Sequence, residues 1–106
     1  MYFSKIFKIK EGKLEKFKSW LHSLETDRRE EALKTFEYEN ITREVFAIFK
    51  GKDSNHYVIG LNEISDGEPK AGDPNVKINQ EHGVIKKECL EPFSDNGEVI
   101  LDLRRQ

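Results

Sequence analysis

The pattern of apolar and polar residues changes from strand-like to helical near the start of the chain. Apolar side chains alternate with polar ones in YFSKIFKIK, which predicts a β-strand over residues 2–10. Beyond Lys13 the apolar positions follow a helical period, and no proline or glycine interrupts the chain before Asn40. This spacing predicts one long helix that ends near Glu39, with Asn40 as a left-handed cap. The apolar stripe of that helix contains Leu14, Phe17, Leu21 and Leu24.

A β-hairpin is predicted in the middle of the chain. Two segments rich in β-branched and aromatic residues, 42–50 and 56–64, flank the turn sequence GKDSN. Both faces of these strands are apolar: in EVFAIF, for example, Phe46 lies on one side of the strand and Val45 on the other. Such strands are expected to be covered on both sides of the sheet.

A loop, a second helix and a last strand complete the predicted order. Residues 65–74 are rich in Gly, Pro and Asp, which predicts a loop. At its end Asp73-Pro74 is suited to cap a helix over residues 76–90. Pro92 and the turn sequence SDNG end this helix, and residues 98–103 are predicted to form the final strand.

These elements predict a fold class and an oligomeric state. The order β-α-β-β-α-β is the split βαβ, or ferredoxin-like, pattern. We therefore expect one α+β domain over residues 1–106 with a four-stranded antiparallel sheet. Its two helices can cover only one face of the sheet, yet both faces carry apolar side chains. Since two-fold dimers dominate soluble oligomers, we expect a second copy to cover the other face, giving a homodimer.

Composition and charge exclude several classes of protein. The 106 residues carry a net charge of −2 with 36% charged residues, so there is no basic footprint for nucleic acid. No apolar run approaches the roughly 20 residues of a membrane span, and the N-terminus lacks the apolar core of a signal peptide. The single cysteine, Cys89, excludes an intrachain disulfide and favours the cytoplasm. We find no zinc, nucleotide or other cofactor motif and expect neither metal nor cofactor.

The second predicted helix carries a histidine and a cysteine on its apolar side. Ile78, Ile85 and Cys89 share one side of the helix at about 100° per residue, and His82 lies at its edge. Cys89 is compatible with a small buried hydrophobe. His82 has two interpretations: a core-edge residue bonded to a backbone carbonyl, or a ligand contact or acid–base group in a pocket between helices and sheet.

Arg28 falls on the apolar stripe of the first helix, where a buried guanidinium needs an anionic partner. One interpretation is a structural ion pair with Glu44 or Glu81. The other is that Arg28 binds a ligand carboxylate or phosphate in two-point fashion. In that case the polar lining of one ligand-binding cleft would comprise Arg28, Glu44, Tyr57 and His82.

Four segments carry a family resemblance: KIFKIKEGKLEKFKSWLHSL, RREEALKTFEYENITREVFAIF, YVIGLNEI and EHGVIKKECLE. Together they resemble a bacterial family of uncharacterised proteins, domain of unknown function 6176, over nearly the whole chain. The most specific parts are RREEAL and EH…ECL. That family is similar to the dimeric α/β-barrel group, which includes sugar mutarotases and cofactor-free monooxygenases. The resemblance implies this fold and a dimer, and it assigns no catalytic residue.

Two functions follow from these observations. The first is an enzyme or binder of a small polar or anionic molecule, for which one acid and one base near neutral pH suffice in a mutarotase-like or isomerase-like reaction. The second is a non-catalytic dimeric structural or protein-interaction module, with Arg28 and His82 as internal ties. A buried Arg28–Glu44 pair without a cavity would favour the second function, and a polar-lined pocket of ligand size would favour the first.

Overall fold

The computed structural model describes residues 1–65, 68 and 70–105 as an α+β fold. Its four strands form one antiparallel sheet in the order β2-β3-β1-β4. Three helices accompany the sheet. In chain order the elements are β1 (Tyr2–Ile9), α1 (Leu14–Glu25), α2 (Arg29–Glu39), β2 (Ile41–Lys50), β3 (His56–Ile64), α3 (Lys77–Cys89) and β4 (Leu90–Pro92).

The core lies between the helices and one face of the sheet. Ile9 and Val58 point from β1 and β3 toward Phe17 of α1 and Cys89 of α3, and all four are buried. Phe46 and Ile48 of β2 pack against this cluster from the same side. A Cβ atom at Gly60 would lie 3.0 Å from the Phe46 ring, so a glycine is needed where that ring crosses β3.

The first three strands and the hairpin agree with the sequence prediction, and so does the cap at Asn40. This residue ends α2 in the left-handed conformation, with φ 60°. The hairpin pairs β2 with β3 from Ile41↔Ile64 to Lys50↔His56, around the predicted turn. The alternation of apolar and polar residues and the residue types at the turn were therefore sufficient to predict these elements.

The single long helix predicted over residues 13–39 is wrong. The chain leaves helical geometry at Thr26, whose φ and ψ are −117° and −92°, and α2 begins three residues later. Thr26 donates from its hydroxyl to the His22 carbonyl (2.8 Å), and the Arg28 amide reaches back to the Ser23 carbonyl (2.7 Å). After the break, α2 packs against both α1 and the edge strand β2.

The strand predicted over residues 98–103 is also wrong. The fourth strand is instead the three-residue β4, which follows α3 directly and pairs with Phe7–Ile9. Pro92 has no amide to donate, and the Ser94 hydroxyl accepts from the Ile6 amide (2.9 Å), so regular pairing stops there. Gly97 still donates to the Ser4 carbonyl (2.8 Å). Because β1 begins at Tyr2, little of it remains beyond that point to pair with residues 98–103.

The second predicted helix begins later than expected. α3 starts at Lys77, and Asp73 accepts from the Asn75 amide in a preceding turn instead of capping the helix. Of the predicted loop over residues 65–74, residues 66, 67 and 69 lie outside the described residues.

The sheet face opposite the helices, here called the open face, exposes apolar side chains. Val45, Phe49 and Phe93 retain 38%, 53% and 58% of their surface. The Phe93 ring lies 4.8 Å from that of Tyr57, edge to face. Strand alternation places on this face Tyr2, Ser4, Ile6, Lys8, Arg43, Val45, Ala47, Phe49, Tyr57, Ile59, Leu61 and Glu63. The homodimer predicted to cover this face stays a prediction.

Candidate functional site

A cleft of about 670 Å³ lies between α1, α2 and the edge strand β2. This volume is within the range of small-molecule sites. Its walls combine apolar and charged side chains. We call it the outer cleft, and it is lined by Leu21, His22, Leu24, Glu25, Arg29, Ala32, Leu33, Phe36, Thr42, Arg43, Glu44, Val45 and Phe46.

A smaller cavity of about 60 Å³, the inner cavity, adjoins the outer cleft. Glu44 lines both spaces, and among the described residues it is the only ionisable side chain that the two linings share. Behind it the inner cavity brings together two further titratable groups, Glu39 and His82. The remaining lining residues are Leu24, Ala32, Thr35, Phe36, Ile41, Ile78 and Asn79. A polar pocket therefore exists on the helix side of the sheet.

Glu44 is the residue that connects this pocket to solvent. It stands opposite Asn62 in the β2–β3 ladder, and the Asn62 amide, oriented to satisfy its neighbours, donates to Glu44 Oε2 (3.0 Å). Burial raises the pKa of Glu44, and the carboxylate of Glu39 raises it further, while the charge of Lys86 opposes both. Burial also raises the pKa of Glu39. The site thus favours carboxyl groups that retain a proton to higher pH than in water.

His82 is held neutral and in one tautomer. The Trp20 indole donates from Nε1 to Nδ1 of His82 (2.8 Å). An indole nitrogen can only donate, so Nδ1 is the acceptor and the neutral imidazole carries its proton on Nε2. Burial, with a smaller contribution from the charge of Lys86, lowers the pKa of His82 to about 4. At neutral pH His82 is therefore an uncharged N–H donor on the wall of the inner cavity.

Arg28 is engaged by carboxylates other than Glu44. Its Nε and Nη2 donate to Glu31 (2.8 and 2.9 Å), and its Nη1 donates to Glu81 (2.5 Å). Both carboxylates raise the pKa of Arg28. The guanidinium lies 5.8 Å from the centre of the Trp20 ring, and Arg28 lines neither the outer cleft nor the inner cavity. Arg28 therefore links the start of α2 to α3 and lies outside both cavities.

Tyr57 does not join the other predicted site residues. It alternates with the buried Val58 along β3, so its side chain lies on the open face. Its hydroxyl donates to Asp53 Oδ2 (2.5 Å). Of the four residues in the predicted grouping, only Glu44 and His82 line the same cavity.

Three residues of the site were missed from the sequence. Trp20 lies between Phe17 and Leu24 at helical spacing, so the same projection that singled out Arg28 could have included it. Asn62 faces Glu44 because the hairpin register pairs them, and the predicted turn already implied this pairing. No feature of the sequence pointed to Glu39 as a site residue. Its side chain reaches the cavity only because α2 is a separate helix.

The described residues contain no cluster of three His, Cys, Asp or Glu side chains placed to hold one metal ion. Cys89 is a free, fully buried thiol, and burial raises its pKa. Among the helices that the structure describes, none is both long and apolar enough to cross a membrane.

Comparison with known proteins identifies a family and assigns no activity. No curated protein and no solved structure matches the sequence. One family model matches residues 4–106, which includes every described residue that lines the outer cleft or the inner cavity. The chain therefore belongs to the family of unknown function DUF6176.

Proposed function

We propose that this protein binds a small polar or anionic molecule in the outer cleft, with one polar group reaching into the inner cavity, so that Glu44 transfers a proton on it and His82 donates a hydrogen bond to it. The observation that carries the proposal is the placement of Glu44. This partly buried carboxyl group lines both the cleft and the cavity and forms no ion pair with any described residue. Buried carboxyl groups are normally paired, so an unpaired one with a raised pKa in a pocket favours a functional role.

The two side chains suit complementary roles. His82 offers an N–H group from Nε2, which can donate to a carbonyl or hydroxyl oxygen of the ligand. Glu44, whose pKa is raised by burial, can accept a proton from a ligand hydroxyl or activated C–H group and return it. One carboxyl group and one neutral imidazole are enough for an isomerisation, in which a proton leaves one atom and another atom receives one.

The mouth of the cleft supports an anionic group on the ligand. Arg29 and Arg43 both line it, and neither forms an ion pair within the described part of the chain. Guanidinium groups bind carboxylates and phosphates in two-point fashion. We therefore propose sugar acids, sugar phosphates and small hydroxy acids as the class to test first.

The test is a thermal-shift screen of these compounds, followed by calorimetric titration of those that raise the melting temperature. We expect Glu44→Gln to weaken ligand binding at least roughly tenfold, because it removes one charge-assisted hydrogen bond. Glu15→Gln removes an exposed carboxylate of α1 outside the cleft and is the matched control. Arg28→Ala should lower the melting temperature and leave affinity unchanged. Equal binding by wild type and Glu44→Gln would refute the site.

We also propose that two copies associate through the open face, in the ferredoxin-like, dimeric α/β-barrel arrangement. The strand order β2-β3-β1-β4 supports this arrangement, with α1 and α2 together in the place of one helix. The chain exposes 8010 Å². A compact monomer of its 12.4 kDa mass would expose about 6100 Å². The excess of about 1900 Å² is larger than the roughly 800 Å² that each partner contributes to a standard interface.

The shape supports the same proposal. The radius of gyration is 14.3 Å, whereas about 13 Å is expected for a compact domain of this length. Sedimentation equilibrium at micromolar concentration should give twice the chain mass, and Phe49→Asp on the open face should shift it towards the monomer. If this association is the whole function, no compound will bind and the cleft variants will behave as wild type.

A further inference from the structure

The C-terminal segment over residues 98–103, here called the tail, projects apolar side chains into solvent. Ile100 and Leu103 retain 88% and 84% of their surface, and Val99 and Leu101 retain 46% and 72%. Isolated exposed apolar residues are common on protein surfaces, but four within five positions form a contiguous patch of the kind found at interfaces.

The tail is held against its own sheet. Before it, the Gly97 amide donates to the Ser4 carbonyl (2.8 Å). After it, the Arg104 guanidinium donates to the Tyr2 hydroxyl (2.7 Å) and to the Glu63 carboxylate. Between these ties Val99, Leu101 and Asp102 border a groove of about 380 Å³ over the open face. The tail is thus fixed at both ends, and Ile100 and Leu103 stand on its outer side.

A second exposed apolar patch lies at the other end of the same face. Phe49 and Phe93 flank Tyr57, which pairs with Lys8 near the end of β1. Tyr2, beside the tail, stands six residues earlier on that strand, which is about 20 Å away. In a two-fold contact, opposite ends of the same face meet. The protruding patch of each copy would therefore lie against the exposed aromatic patch of the other copy.

We infer that Ile100 and Leu103 of the tail anchor the dimer by packing against Phe49 and Phe93 of a second copy. This inference rests on the proposed association through the open face and specifies which side chains stabilise it. A two-fold axis midway along β1, near Ile6, would apply the tail of each copy to the aromatic patch of the other. A second copy is the occupant because the excess exposed surface, 8010 Å² against about 6100 Å², is sufficient for a stable interface.

The contact also gives a role to the apolar residues of the predicted strand. Residues 98–103 include three consecutive apolar residues, Val99, Ile100 and Leu101, but they pair with no described strand of their own sheet. Their outer side chains gain a partner only when a second open face approaches. Burial of two aliphatic side chains per copy would then favour association.

The experiment compares dimer dissociation constants by sedimentation equilibrium for the full-length chain and three variants. We expect the double variant Ile100→Asp/Leu103→Asp to raise the constant at least roughly tenfold, as for interface hot spots. Phe49→Asp should do the same, because it alters the other half of the contact. Val84→Asp, at a 65% exposed position of α3 away from the open face, is the matched control and should leave the constant unchanged.

The outcomes separate the two proposals. If the wild type and the tail variant dissociate with the same constant while Phe49→Asp is monomeric, the dimer stands and the anchoring role of the tail is refuted. If the wild type is monomeric throughout, both proposals are refuted. Far-ultraviolet circular dichroism of each variant must match the wild type, because the tail has no regular structure to lose.

Discussion

At the scale of single residues, the burial of His82 links folding stability to pH. His82 has a pKa of about 4 in the folded chain, against 6.5 in a model peptide. Between these values the unfolded chain takes up a proton that the folded chain does not, so folding stability falls as the pH is lowered from about 6.5 to about 4. The full effect is about 3 kcal/mol at most.

Urea unfolding at a series of pH values measures this effect through the difference between wild type and His82→Gln. The difference is needed because Glu44 and Glu39 have raised pKa values and act in the opposite direction. His22→Gln, at an exposed position of α1, is the control. The interpretation fails if the wild type and His82→Gln show the same pH dependence between pH 5 and 6.5.

Glu44 is predicted to destabilise the fold at neutral pH. Its folded pKa is raised, so above that pKa the fold must hold an ionised carboxylate in a poorly solvated site. Glu44→Gln should increase the free energy of unfolding at pH 7 by about 1 kcal/mol. This gain should vanish below about pH 4, where the carboxyl is protonated in both states. Chemical denaturation of wild type and Glu44→Gln at the two pH values tests this prediction. If Glu44→Gln is less stable than wild type at pH 7, Glu44 stabilises the fold and is a structural residue.

At the scale of elements, Gly83 weakens α3 without a packing reason. A Cβ atom there would meet nothing within 4 Å, and the position is exposed within the helix. We expect Gly83→Ala to raise the free energy of unfolding by about 1 kcal/mol. Gly12→Ala is the informative comparison: its site is equally open, but its φ of +77° disfavours alanine, so it should destabilise. Thermal unfolding of both variants distinguishes helix propensity from crowding.

Some elements can be predicted from residues that lie close together in the sequence, and others cannot. The hairpin and the cap at Asn40 follow from residues close together in sequence, and both were predicted correctly. The break at Thr26 was missed because threonine and aspartate are only mildly unfavourable in helices. Where the helix breaks depends on how α2 packs against α1 and β2, which lie far apart in the chain. The placement of Tyr57 on the open face could have been predicted, since it alternates with the core residue Val58.

At the scale of the whole molecule, the flat shape predicts a concentration-dependent stability. The molecule measures 38 × 35 × 24 Å, with one sheet face uncovered by the described helices. If two copies associate through that face, mass action makes the melting temperature rise with protein concentration. Scanning calorimetry over a hundredfold dilution series measures this, with Ile100→Asp/Leu103→Asp expected to show a weaker dependence. A constant melting temperature for the wild type would contradict a dimer that dissociates on unfolding.

By itself the sequence determined the first three strands, the hairpin and the sides on which apolar residues fall, because these depend on neighbours a few positions apart. It also singled out His82 as unusual on its helix and Glu44 as a possible partner of Arg28. Only the tertiary structure decided that these two share a cavity, that Arg28 pairs with Glu31 and Glu81, and that residues 98–103 form no strand. Each of these depends on contacts between elements far apart in the chain, and their geometry is set by the break between α1 and α2 and by the short edge that β1 offers to the C-terminus.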